Sequence, residues 1–145
     1  MEGTAAKKEI SFVLDYNPQK ELLVEADESK IHQVLYNLID NAVKFSHNNS
    51  EIKISLRKKG AKVFVSVKDS GIGIPKESLN KVFDRFYKTD ISRGKDKRGT
   101  GLGLSISKEI IQAHNQTINV VSTVDVGTEF VFTLKYHSKK QEASS

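Results

Sequence analysis

The chain has 145 residues, 37% hydrophobic and 28% charged, which suits one domain able to bury its own core. It has no cysteine, which excludes disulfides and thiolate metal sites; no apolar run nears the roughly 20 residues of a membrane span, and the N-terminus does not read as a signal peptide. The net charge of +5 rests on scattered lysines without interleaved aromatics, a solvated basic surface rather than a nucleic-acid platform.

Residues 1–8 read as a flexible N-terminal edge, 9–136 as the domain and 137–145 as a disordered polar tail. Ile10, Phe12, Leu14 and Tyr16 alternate on one face and predict a strand; the segment ELLVEAD predicts a second, short one. Asp27 is placed to cap a helix over Ser29 to Phe45, whose apolar stripe is Ile31, Val34, Leu35, Leu38, Ile39, Ala42 and Phe45. Two alternating runs follow, Ile52–Ile54–Leu56 and Val63–Val65–Val67, joined by a hairpin turn at Lys59-Gly60. Helical turns are predicted from Glu77 to Phe86. Lys88 to Arg98 has almost no apolar side chain and reads as a net-positive mobile loop. A helix from about Leu102 to His114 packs Leu104, Ile106, Ile110 and Ile111. Two strands close the chain near Thr117 to Val124 and Thr128 to Tyr136, with Phe130, Phe132 and Leu134 facing inward. The mixture predicts an α+β fold, a two-layer sandwich with a mostly antiparallel mixed sheet covered on one face by helices.

Four features break these patterns. Period 2 carries Asp69 onto the apolar side of the strand of Val63, Val65 and Val67, where an unpaired carboxylate is costly. It either caps the following turn or waits for a donor, and an exocyclic adenine amine would suit it. Six of the nine glycines lie between Gly71 and Gly103, on both sides of the polar loop. Gly99, Gly101 and Gly103 precede a helix whose exposed amides and partial positive charge favour an anion. Neither GxxxxGK[ST] nor GxGxxG fits them. On the first helix Asn37, Asn41 and Lys44, at i, i+4 and i+7, form a polar stripe. Amide oxygens are acceptable ligands for Mg²⁺ and an ammonium suits a phosphate, although such stripes are also ordinary solvated faces.

Taken in order, NLIDNAVKF (Asn37 to Phe45), DSGIGIP (Asp69 to Pro75), FDRFYK (Phe83 to Lys88), GTGLGLSISKEII (Gly99 to Ile111) and GTEF (Gly127 to Phe130) resemble the boxes of the ATP-binding catalytic domain of bacterial sensor histidine kinases. The resemblance covers about Ile10 to Tyr136. It implies a Bergerat-type ATP fold with a mobile lid and a site that takes ATP and Mg²⁺. Asp69 would hold the adenine amine, with Thr128 helping through ordered water. Asn41 would coordinate Mg²⁺, with Asn37 in support, and Lys44 would contact phosphate; these three form the implied catalytic set. Gly71, Gly73 and Ile74 would line the adenine side. Gly99, Gly101, Leu102 and Gly103 would hold the phosphates and hinge the lid. Phe83, Phe86 and Tyr87 would anchor its base, and Arg85 would reach a phosphate. Phe45, Tyr87, Arg98, Thr100 and Leu104 complete the implied nucleotide contacts.

Related ATPases carry a water-activating glutamate where this chain has Asn37. An amide is no general base at neutral pH, so the resemblance implies slow hydrolysis and transfer of the γ-phosphoryl group to a histidine. None of His32, His47, His114 and His137 lies in an acceptor motif. They read as structural or surface residues, with partial positive charge on His114 suiting a helix end. The implied acceptor is on a separate dimerisation domain, and a response regulator lies downstream. The implied enzyme is thus an ATP-dependent protein histidine kinase unable to phosphorylate itself, a monomer as a fragment and a homodimer at full length. It would be the cytoplasmic part of a membrane-anchored sensor, with no nucleic-acid or membrane contact of its own. An anti-sigma-factor-type serine kinase and a non-catalytic nucleotide-binding domain are the alternatives; the phenylalanine box and the intact boxes weigh against them. Three departures stand out: Arg98 for a common glycine, Phe45 for a common tyrosine, and Asn115-Gln116 for a common Gly-Gly, where Asn still tolerates the left-handed cap.

Overall fold

A computed structural model describes residues 8–17, 22–84 and 103–137. The elements are β1 (Ser11–Asp15), β2 (Val24–Glu25), α1 (Glu28–Phe45), β3 (Glu51–Lys59), β4 (Lys62–Asp69), a 3-10 helix (Lys76–Lys81), α2 (Gly103–Ala113), β5 (Ile118–Thr123) and β6 (Gly127–Tyr136). The strands make one mixed sheet ordered β1-β3-β4-β6-β2, with β5 also paired to β6. Only β1–β3 is parallel; the other pairings are antiparallel. This is the predicted class, with most boundaries shifted by a residue or two; of the helical turns expected from Glu77 to Phe86 the described part is a 3-10 helix that ends at Lys81, and Arg85 and Phe86 lie outside the described residues. The second strand shrinks to Val24–Glu25, which pair only with the end of β6 at Tyr136 and Lys135. The β3–β4 turn is Gly60-Ala61, with Gly60 at φ +63°.

α1 starts where expected: the Asp27 carboxylate accepts from the Lys30 amide at 3.2 Å. Its buried residues are Ile31, Val34, Leu38, Ala42 and Val43. They join Val63, Val65, Val67, Phe130, Phe132, Leu134, Ile110 and Ile111 in one core on the helical face of the sheet. Burying such side chains is worth roughly 1.5–3 kcal/mol each, the main force holding the layers together. At the C-terminal end of α1, Ser46 Oγ donates to the Ala42 carbonyl at 2.6 Å. The Lys8 ammonium donates to the carbonyls of Val43, Lys44 and Ser46 at 3.0, 3.0 and 3.1 Å. Carbonyls that a helix end leaves unpaired are thereby satisfied by a cation, the sign the helix dipole favours there.

α2 packs Leu104, Ile106, Ile110 and Ile111 against the core as expected, and it buries two serines as well. Ser105 and Ser107 are buried with Ile110 and Ile111, while Leu104 and Ile106 are only half-buried. The helical period explains it: Ser107, Ile110 and Ile111 share one stripe at i, i+3 and i+4, and the serine's inward position faces a polar group of α1. α1 and α2 run in opposite directions and are tied at both ends. At one end the Asp27 amide donates to His114 Nε2 at 3.0 Å, and His114 Nδ1 lies 2.8 Å from the Ile110 carbonyl. An imidazole that accepts at Nε2 and donates at Nδ1 is the neutral tautomer. His114, expected to be a structural or surface residue, is a hydrogen-bonding link between the start of α1 and the end of α2.

Candidate functional site

The site begins with a polar row that ends the apolar face of the sheet. Across β4, β6 and β5 the register places Val65 beside Phe132 and Ile118, then Val67 beside Phe130 and Val120. One step further it places Asp69 beside Thr128 and Ser122. Asp69 is 3% exposed. Its Oδ1 accepts from the Gly71 amide at 2.9 Å and the Thr128 amide at 3.3 Å, so the carboxylate does cap the following turn. No described residue bonds Oδ2. Burial raises the Asp69 pKa above the ordinary carboxylate value; the two amides and the field of His47 pull the other way. Capping the turn and holding an acceptor ready are thus compatible, one oxygen for each.

Ser122, which the sequence did not single out, organises the rest of the row. Its Oγ accepts from the Ile74 amide at 2.7 Å, donates to the Gly127 carbonyl at 2.9 Å and lies 2.7 Å from Thr128 Oγ1. With Ser122's only proton on Gly127, the Thr128 hydroxyl supplies the proton between them. The signal for Ser122 was period 2 continued from Ile118 and Val120, readable only once the β5–β6 register is known.

The glycines of the first box are required by backbone packing. A Cβ on Gly71 would lie 2.1 Å from the Phe45 carbonyl oxygen, and the next amide, Ile72, donates to that oxygen at 3.2 Å. Gly73 has φ +76°, and its Cβ would meet the Thr123 carbonyl oxygen at 2.3 Å. The Ile72 carbonyl accepts from Asp125 at 2.9 Å. The DSGIGIP segment is thus bonded to the C-terminal end of α1 on one side and to the β5–β6 hairpin on the other. Asp69, Gly71, Gly73, Ile74 and Thr128 are brought together here, and Phe45 joins them through its carbonyl.

On α1, Asn41 makes no hydrogen bond with a described residue, whereas Asn37 and Lys44 are engaged. Lys44 pairs with Asp40 at 3.1 Å. Such an exposed i,i+4 pair is worth only about 0.3–0.5 kcal/mol. Asn37 Nδ2 donates to the Gly103 carbonyl at 3.1 Å and to Ser107 Oγ at 3.2 Å, fastening α1 to the start of α2. Gly103 itself is not sterically required: a Cβ there meets nothing nearer than Asn37 Cγ at 3.7 Å. Leu104 is half-buried against the core. Phe83 meets Phe130 edge-on with centroids 6.0 Å apart, beneath the Lys108 ammonium at 5.5 Å. Arg85, Phe86, Tyr87, Arg98, Gly99, Thr100, Gly101, Leu102 and the predicted loop lie outside the described residues.

A lone amide oxygen at Asn41 fits a hard cation that keeps most of its waters and arrives bridged to phosphates, which is how Mg²⁺ binds. Among the described residues no group of three or more His, Cys, Asp or Glu side chains converges to hold a metal. No described helix is long and apolar enough to cross a membrane.

Comparison with known proteins bears on this geometry. The sensor histidine kinase WalK of Bacillus subtilis is 44% identical over 127 residues, covering 86% of this chain and 21% of the relative. The chain thus spans about a fifth of the length of the curated relatives it matches. The nucleotide-free catalytic domain of histidine kinase ThkA superposes with TM-score 0.77 at 37% identity, over 92% of this chain and 85% of that one. ThkA in complex with the response regulator protein TrrA matches with TM-score 0.75 at 34% identity, over 96% of this chain and 38% of that one. Full-length ShkA in complex with AMPPNP matches with TM-score 0.81 at 27% identity, over 95% and 28%. A family model matches residues 26–138, and the chain therefore belongs to the ATP-binding family of histidine kinase-, DNA gyrase B-, and HSP90-like ATPases.

Proposed function

We propose that this chain is the catalytic ATP-binding domain of a sensor histidine kinase. It takes Mg-ATP and presents the γ-phosphoryl group to a histidine on a dimerisation domain outside the chain. The observation that carries this reading is the Asp69–Thr128–Ser122 row: a buried carboxylate with one oxygen bonded by backbone amides and the other without a described partner. That is the acceptor an adenine amine requires. Gly71, Gly73 and Ile74 form the wall beside it, and Thr128 offers a hydroxyl for a bridging water.

At the other end of the nucleotide, Asn41 holds the metal and Lys44 leaves Asp40 for a phosphate. Mg²⁺, when bound, neutralises charge on the transferring phosphoryl group. Gly99, Thr100, Gly101, Leu102, Gly103 and Leu104 embrace the phosphates, joined by Arg85, Tyr87 and Arg98; Phe45 closes the wall at the end of α1. Asn37 stands where hydrolysing relatives use a carboxylate, and an amide cannot take a proton from water, so the phosphoryl group is kept for the histidine. The domain's contribution is positioning and electrostatics rather than covalent chemistry. The full protein is a homodimer that passes the phosphoryl group to a response regulator, with this domain on the cytoplasmic side of the membrane.

The test is calorimetric titration of the chain with a non-hydrolysable ATP analogue and Mg²⁺, wild type beside Asp69→Asn. The substitution is expected to cost roughly 1.5–3 kcal/mol of binding, the scale of a hydrogen bond to a charged group. Equal affinity in the two proteins refutes the adenine assignment. Phosphoryl transfer to an added histidine-bearing domain, present in the wild type and abolished by Asn41→Ala, then tests the kinase step.

A further inference from the structure

We infer that Ser107 is a positioning residue that fixes the Asn37 amide with its nitrogen toward α2 and its oxygen toward the phosphate side of the site; the inference rests on the nucleotide-binding reading above.

Ser107 is fully buried, at 0% exposure, on a helix where its neighbours on the inward stripe are isoleucines. A serine here has a polar reason for its place. Its Oγ donates to the Gly103 carbonyl, four residues back, at 2.9 Å. A hydroxyl has one proton, so that bond leaves Ser107 Oγ only lone pairs to offer. The Gly103 carbonyl likewise only accepts. The Asn37 amide faces both atoms, at 3.1 and 3.2 Å. Two acceptors side by side demand the NH₂ group, one hydrogen for each. The side chain that an amide could present in either of two orientations is held in one.

The consequence lies on the other side of the amide. With both hydrogens committed to α2, Asn37 Oδ1 has no hydrogen bond to a described residue. Asn41 is one helical turn further on the same face of α1. Ser107 thereby makes the outward atom of Asn37 an oxygen, which a hydrated Mg²⁺ or its waters favour, and not an NH₂ group, which a cation repels. This is the outer-shell logic by which a hydrogen-bond partner behind a ligand sets its orientation, and loss of such a partner typically costs 10–100-fold in metal affinity.

The experiment compares Ser107→Thr with Ser107→Val in the 145-residue chain. The two replacements add the same bulk to a buried site and differ only in the hydroxyl, so any packing cost is shared. The first readout is the side-chain amide signal of Asn37 in nitrogen–proton NMR of the nucleotide-free protein, assigned by its loss in Asn37→Ala. Slow hydrogen exchange is expected in the wild type and Ser107→Thr, with faster exchange and a shifted signal in Ser107→Val. The second is affinity for the non-hydrolysable ATP analogue with and without Mg²⁺. Ser107→Val is expected to lose about tenfold of the Mg²⁺-linked gain while leaving Mg²⁺-free binding unchanged, and Ser107→Thr to retain both. Equal Asn37 signals in the two variants overturn the clamp. Equal loss with and without Mg²⁺ reduces Ser107 to a packing residue. A wild type that binds the analogue with no Mg²⁺ gain refutes the oxygen-presenting role and leaves the adenine assignment standing. A wild type that does not bind it at all refutes the nucleotide reading, while the NMR comparison still decides the clamp.

Discussion

The two ends of α1 face different kinds of space. Toward its N-terminal end, Ile31 and Leu35 border an apolar cavity of about 330 Å³ reaching Leu14, Tyr16, Leu56 and Leu134. The inner side chains of β1 stay uncovered there, with Leu14 60% exposed. At its C-terminal end the contacts are directional: the Lys8 and Ser46 caps, the Phe45–Ile72 bond, and the Asp69–Thr128–Ser122 row. Apolar burial depends on area and tolerates an imperfect fit, whereas an acceptor waiting for a ligand needs its neighbours fixed to a fraction of an ångström. The difference sets apart the C-terminal end as the one the proposed nucleotide site uses. It also predicts that side-chain truncation and backbone crowding will be felt differently along one helix.

The sharpest break of that comparison is truncation at two leucines one turn apart. Leu38 is wholly buried in the core, whereas Leu35 borders the open cavity. Leu38→Ala is expected to cost about 2–5 kcal/mol of unfolding free energy, and Leu35→Ala about 1 kcal/mol or less, because it enlarges a space already open. Urea denaturation of both variants checks this. Equal costs would mean that the cavity is closed in solution.

A second contrast concerns glycines. Gly71→Ala drives a methyl group to 2.1 Å from the Phe45 carbonyl, backbone against backbone, so neither side can turn away. A cost of about 1–3 kcal/mol is expected, with weaker nucleotide binding as the segment shifts. Gly103→Ala meets only ordinary van der Waals contact. It is expected to be neutral or to stabilise by up to about 1 kcal/mol, since alanine is the better helix former. Thermal melts of the pair decide it, and a destabilised Gly103→Ala would show that this glycine is also held by close packing.

These contrasts follow how much of the molecule the sequence disclosed. Strands with strict alternation were legible, because Val63, Val65 and Val67 must all face one way, and that alternation also carried Asp69 into the interior. The cap at Asp27 was legible because N-cap chemistry is local. What could not be read was long-range. Ser122 matters only because β5 sits opposite Thr128, and Ser107 gains a role only once α1 supplies Asn37. Gly71 was read as lining the adenine side, and its close approach to the Phe45 carbonyl came only from the fold. His114 was read from its position at the end of its own helix, and its partner is the amide of Asp27, the cap of another. The resemblance of ordered boxes named the candidate residues, but which atom each described residue gives to its neighbour came only from the fold.

The smallest expected effect runs opposite to the loss of binding, which makes it a useful test of the polar end. Burial raises the Asp69 pKa from its ordinary 3.8. The folded protein then holds this proton more tightly than the unfolded chain. Stability from this group is therefore fully present below the ordinary value, and is lost as pH rises through the higher folded value. Asp69→Asn keeps an acceptor oxygen for the Gly71 and Thr128 amides and removes the buried charge. The variant is expected to melt slightly above the wild type at neutral pH, with the gap shrinking as pH falls toward the ordinary carboxylate value. Thermal melts of both proteins from about pH 3 to about pH 8 would show it. Among the described residues His47 is the one other titratable group whose field reaches Asp69, and His47→Gln in both backgrounds separates its contribution. A variant less stable than the wild type across the whole range would mean that the amides and His47 outweigh burial, so that the carboxylate is a structural keystone. A variant that is more stable and yet cannot bind identifies Asp69 as a charge retained at a cost to the fold for the sake of its ligand.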